Sequence, residues 1–161
     1  MAVWQFTIAL LPQGWLDGGG DVQSLFAEHG FDPATAWGAY RRPDLEEVLG
    51  GALSKRKSWY PDLTLWGSER SDGIQLSRRK GKVTSVVVHF DLREPNMTLL
   101  QQVIHMAREL GLAILVVETE SVVPSDVEQL LRAAAESRAA HFVLDPASFL
   151  SQMEVANTRA M

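Results

Sequence analysis

Two pairs of residues carry side chains that transfer protons or bind metals: His89 and Asp91, and Glu118 and Glu120. A spacing of two puts each pair on one side of a strand. An imidazole with carboxylates could hold a divalent metal or act as general acid and base, and the ends of parallel strands are where α/β proteins commonly place ligands. The spacing matches no metal or catalytic signature, however, and strand ends that run into loops are polar in most proteins. Solvated groups on an open sheet face are the plainer reading. The enzymatic alternative requires the four side chains to converge on one pocket.

Other chemistry is weaker still. Gly18-Gly19-Gly20 before Asp21 could let backbone amides approach an anion, but neither a lysine-serine or lysine-threonine pair nor a GxGxxG spacing follows it. A loop leading to a capped helix explains it. No GxSxG elbow is present, and Trp66-Gly67-Ser68 reads as a strand exit. With no cysteine in the chain, disulfides, thiolate zinc sites and cysteine nucleophiles are excluded together. His29 sits beside a helix stop, His105 at the edge of a helix's inner stripe and His141 at the start of a strand, which are structural places. No catalytic residue, metal or cofactor is expected.

Binding residues are better represented. Lys55-Arg56-Lys57 runs into Trp59 and Tyr60, and Arg78-Arg79-Lys80 lies further along. Cations interleaved with aromatics are what single-stranded nucleic acid uses. The flanking segments are acidic, which argues against nucleic acid as the partner and for a solvated edge. Five tryptophans stand at positions 4, 15, 37, 59 and 66. Trp15, Trp37 and Trp59 fall in irregular or short helical regions where rings are hard to bury, and exposed tryptophan and tyrosine anchor protein interfaces. Trp15, Trp37, Trp59 and Tyr60, with His89, Asp91, Glu118 and Glu120, are therefore the candidate partner-binding residues.

The elements that must position them follow from periodicity. Residues 3–10 alternate as a strand, with Trp4, Phe6, Ile8 and Leu10 on one side. Asp21 caps a short helix that Gly30 ends, Asp32-Pro33 starts another, and Leu45, Val48 and Leu49 mark a third. Alternation returns at Leu63–Trp66, Ile74–Ser77 and residues 83–92, separated by turn residues, as an antiparallel meander. Asn96 caps a helix with Leu99, Leu100, Val103, Ile104, Ala107 and Leu110 inside and Gly111 as its stop. Leu112–Val117 is then a buried strand, expected beside residues 83–92 as a parallel neighbour. Ser125 and Glu128 form a capping box for a helix with Val127, Leu130, Leu131 and Ala134 inside, His141–Leu144 is a last strand, and Asp145-Pro146 starts a last helix. The reading is an α+β fold over 1–153, one mixed sheet with a meander and a βαβ crossover, helices mainly on one face, and a frayed tail over 154–161.

At 161 residues the chain suffices for one core without staples. No apolar run is long enough for a membrane span, and the start lacks a basic leader, so a cytoplasmic protein is expected. The net charge of −5 is unevenly spread. Residues 1–54 hold two Lys or Arg against seven Asp or Glu, 55–93 nine against four, and 94–161 four against nine. Acidic flanks permit attraction to a basic protein partner. An exposed meander edge would also permit a homodimer.

Three stretches carry a family resemblance: Tyr60-Pro61-Asp62-Leu63-Thr64-Leu65-Trp66-Gly67-Ser68, Phe90-Asp91-Leu92-Arg93-Glu94-Pro95-Asn96, and Ser137-Arg138-Ala139-Ala140-His141-Phe142-Val143-Leu144-Asp145-Pro146. Over roughly residues 60–150 the chain resembles a set of small uncharacterised bacterial α/β proteins, some of which are similar to the immunity proteins of polymorphic or secreted toxins. The resemblance implies neutralisation of a toxin by direct binding. It carries over no functional residue. The expectation is a non-enzymatic protein-binding domain whose partner is a protein, on this reading a basic toxin.

Overall fold

From Ile8 to Leu11 the first strand has no polar side chain, and a strand apolar on both sides has to be covered on both. The computed structural model, which describes residues 2–145, places this strand, β1 (Gln5–Pro12), inside a seven-stranded sheet. After it come α1 (Gln13–Asp17), a 3-10 turn (Val22–Leu25), the small hairpin β2 (Phe26–Ala27) and β3 (Gly30–Phe31), and the short helices α2 (Ala34–Trp37) and α3 (Leu45–Leu49). The remaining strands are β4 (Lys55–Arg56), β5 (Leu63–Gly67), β6 (Gly73–Arg79), β7 (Lys82–Asp91), β8 (Leu112–Val116) and β9 (Ser121–Val123). Helix α4 (Met97–Leu110) joins β7 to β8, and α5 (Val127–Ala135) and α6 (Arg138–Leu144) follow β9. The fold is α+β, with the expected meander in β5, β6 and β7.

The sheet order is β4-β5-β6-β7-β1-β8-β9, with every neighbouring pair antiparallel. One expectation is corrected here. Strands β7 and β8 are not parallel neighbours, because β1 lies between them, with Ile8 opposite Val88 on one side and Val116 on the other. The two strands do run the same way, as a helical crossover demands, but α4 spans a gap one strand wide. β1, apolar on both faces, fills it.

Cross-strand rows build the main core. Trp66, Ile74, Val88, Ile8 and Val116 lie in one row and Leu76, Val86, Leu10 and Ile114 in the next, all buried. Onto these rows α4 lays its apolar stripe from Leu99 to Leu110, and α3, α5 and α6 add Leu45, Leu49, Leu130, Ala134 and Ala139. The Asn96 side chain accepts from the Leu99 amide at 3.0 Å, and Gly111, at φ 67°, ends α4 in the left-handed region that glycine adopts without strain. The opposite face carries a second, smaller cluster centred on β1 and β8. There Ala9, Leu11 and Leu115 pack beneath Leu25 and Ala36, with Trp15, Val22, Phe26, Phe31 and Val117 around them.

Other local expectations change for identifiable reasons. Asp21 does cap, accepting from the Gln23 amide at 3.0 Å, but the chain leaves the 3-10 turn for the β2–β3 hairpin, so Gly30 is a hairpin residue and not a helix stop. Asp126 caps α5 in place of Ser125, accepting from the Gln129 amide at 3.1 Å. Leu131 turns outward at 38% exposure. His141–Leu144 is helical because Ser137 caps α6, its hydroxyl accepting from the Ala140 amide at 3.2 Å while donating to the Ala134 carbonyl at 2.6 Å. The helix expected from Asp145-Pro146 and the 154–161 tail lie outside the described residues. Among the described residues no helix is long and apolar enough to cross a membrane.

Candidate functional site

The His89 cluster does not converge. On the partly open sheet face His89 pairs across the ladder with Thr7, whose hydroxyl lies 2.9 Å from Nδ1. Desolvation there holds the imidazole down at about 4, so it is neutral near pH 7. Asp91, 3% exposed, is bound by its own neighbour: the Arg93 guanidinium donates Nη2 to Oδ2 at 2.8 Å and Nε to Oδ1 at 3.0 Å, and the Arg93 amide donates at 2.9 Å. Those bonds hold the Asp91 carboxyl below the usual carboxylate range.

Glu118 is occupied elsewhere. Its two oxygens accept the Arg138 amide at 3.0 and 3.2 Å, where α6 begins with unpaired amides. Glu120 sits in a left-handed turn at φ 54°, and its backbone carbonyl accepts from the Gln23 side chain at 3.4 Å. The four residues thus serve four separate local tasks. Among the described residues no three His, Asp or Glu side chains gather as a metal site would require.

A rim network absent from the sequence reading surrounds Asp91. The buried Gln5 amide donates to the carbonyls of Glu69 and Ser71 at 3.0 and 2.6 Å, tying the β5–β6 turn to β1. The Trp4 indole donates to the Arg70 carbonyl at 2.8 Å while the Arg93 guanidinium stacks 3.9 Å from its ring centroid. Asp72 accepts the Asp91 amide at 2.7 Å, and desolvation pushes its carboxyl up. Every partner is within a few residues of a turn, so the network reads as a clamp on that turn.

The candidate aromatics separate cleanly. Trp37 is 1% exposed in the main core, edge-on to Tyr40 at 4.9 Å, and is corrected from partner-binding to structural. Its position in a four-residue helix concealed this, because the helix tucks against β1 and β7. Trp15 is half-buried over the second face, and a Cβ on Gly20 would run into its ring, so Gly20 serves close packing there. Trp59 and Tyr60 are 69% and 62% exposed.

Charge divides between two surfaces. The cover over β1 and β8, built from 13–40 with the 117–123 connection, bears Asp17, Asp21, Glu28, Asp32, Glu118 and Glu120 and contains no Lys or Arg. Arg138 stands beside it through Glu118. Its apolar surface includes half-buried Trp15, Phe26 and Phe31 and the exposed Val122 of edge strand β9. Across the sheet, the β6–β7 turn and the β4–β5 connection meet at one end, where Arg79 and Lys82 are paired and the Arg78 amide donates to Asp62 at 2.8 Å. Arg41 and Arg42, passed over in the sequence, line a groove of about 400 Å³ with Arg78 and Lys82 there. No protein-family model, curated protein or solved structure matches this chain.

Proposed function

We propose that the chain is a non-enzymatic domain that binds a basic protein through the acidic cover over β1 and β8. One observation carries the reading: the segments that build this cover hold six carboxylates and no Lys or Arg, and they also present Trp15, Phe26, Phe31 and Val122 at partial or full exposure. A partly apolar centre with a rim of one sign is the composition of an interface that is steered by charge and held by aromatic contact. The finer reading follows from the resemblance in the sequence: an immunity protein in the cytoplasm that blocks a basic, nucleic-acid-degrading toxin. The dispersal of His89, Asp91, Glu118 and Glu120 supports binding over catalysis.

The test is calorimetric titration of the purified chain with any basic protein that a neighbouring gene encodes, in parallel with a variant carrying Asp17→Lys and Glu28→Lys. Both positions are exposed, so the fold is preserved. The variant should bind at least tenfold more weakly, mainly through a slower association rate. A neighbour that does not bind, together with no toxin sensitivity when the gene is lost, would end this reading.

A further inference from the structure

We propose that the opposite corner of the sheet, formed by the β4–β5 connection and the β6–β7 turn, is a binding site for single-stranded nucleic acid. Nine of the chain's fifteen Lys and Arg fall in the segments 41–42, 55–57 and 78–82. Strand pairing brings the last two segments to the same end: Arg56 pairs with Leu65, Leu63 with Ser77, and Arg79 with Lys82. The first segment joins them across the groove that Arg41, Arg42, Arg78 and Lys82 line.

Four carboxylates stand near these cations, Glu109 among them, whose charge acts on Arg42. Asp44 is paired with Arg42 at 2.8 Å, Glu46 with Arg78 at 3.4 Å and with Lys55 at 3.7 Å, and Asp62 adjoins Arg78 through its backbone. Lys57, Arg79, Lys80 and Lys82 make no ion pair among the described residues and are all exposed. The acidic cover packs on β1 and β8, which lie beyond β7 from the β4–β5 connection in the sheet order.

Charge alone would suit any polyanion. Trp59 and Tyr60 narrow the choice, because they follow Lys57 by two and three positions, with ring centroids 6.4 Å apart and most of their surface in solvent. The Tyr60 backbone beneath them is held in place. The Ser58 hydroxyl accepts from the Tyr60 amide at 3.2 Å and donates to its carbonyl at 3.0 Å, and the Leu63 amide donates to the same carbonyl at 3.2 Å. Exposed aromatic faces close in sequence to an unpaired cation match unstacked bases on a phosphate chain, and a duplex offers no such bases. Single strands are therefore favoured over double strands and over acidic peptides.

The experiment is fluorescence anisotropy of a labelled oligothymidylate of about 15 nucleotides with the full chain, in salt from about 50 to about 200 mM. Binding is expected with a log–log salt slope of about −3, as four phosphate contacts give for a single strand. Trp59→Ala with Tyr60→Ala should weaken it about tenfold or more and leave the slope unchanged. Lys57→Glu with Lys80→Glu should weaken it and flatten the slope. All four positions are exposed, and circular dichroism checks that the variants are folded. Asp17→Lys with Glu28→Lys should leave it intact, which separates this site from the protein-binding cover. The proposal is overturned if the oligothymidylate does not bind, if the aromatic variant binds as tightly as the wild type, or if a duplex or a polyglutamate peptide of equal charge binds equally well.

Discussion

At the scale of single residues, His89 shows how a catalytic-looking group becomes a structural one. It lies in the ladder opposite Thr7, is desolvated, and titrates near 4 where an unfolded histidine titrates near 6.5. The unfolded chain therefore binds more protons between those values, so the stability associated with neutral His89 is complete above about pH 6.5 and is lost as pH falls toward 4. In urea unfolding, the wild type should lose about 2 kcal/mol more than His89→Gln between pH 7 and pH 4.5. Equal losses in the two proteins would show that this imidazole is not desolvated. The pairing of His89 and Asp91 on one side was legible from alternation, but their partners were not. Thr7 lies 82 positions from His89, and Arg93 takes Asp91 by a local bond that spacing does not announce.

Elements were most legible where a cap and a stripe agreed. Asn96, the stripe from Leu99 to Leu110 and Gly111 delimit α4 correctly because all three are local signals. His141–Leu144 was misread because an apolar tetrapeptide has no period of its own, and what makes it helical is Ser137, bonded to both the end of α5 and the start of α6. Ser137→Ala removes both bonds at a buried position and should cost about 1–2 kcal/mol, read from the denaturation midpoint. Gly67 sets the other local constraint. At φ 81° a Cβ there would meet the Asp72 carbonyl oxygen at 2.2 Å, a clash with backbone that cannot turn aside. Gly67→Ala should destabilise by more than about 2 kcal/mol, whereas Gly81→Ala, with open space around it, should cost less. Equal costs would mean that positive φ alone, and not the close approach, matters at Gly67.

For the whole molecule, the position of β1 matters most, and the sequence states it indirectly. Both faces of Ile8–Leu11 are apolar, which marks a central strand, whereas the helix that connects β7 to β8 suggests that those two are neighbours. Of these two signals, the burial pattern is right. The consequence is mechanical: the block β4 to β7 and the pair β8 and β9 touch through β1, so neither side of the sheet is closed until the N-terminal strand docks. Ile8, fully buried between Val88 and Val116, is the hinge of that arrangement. Ile8→Ala should cost about 2–5 kcal/mol, the transfer loss plus the cavity left behind. Because both blocks depend on the same strand, tryptophan fluorescence, to which Trp66 and Trp37 of the main core contribute with Trp4, Trp15 and Trp59, and far-ultraviolet dichroism should lose signal along one coincident curve in wild type and variant alike. Separate transitions for the two probes would show that the blocks fold independently and that β1 is an addition to one of them.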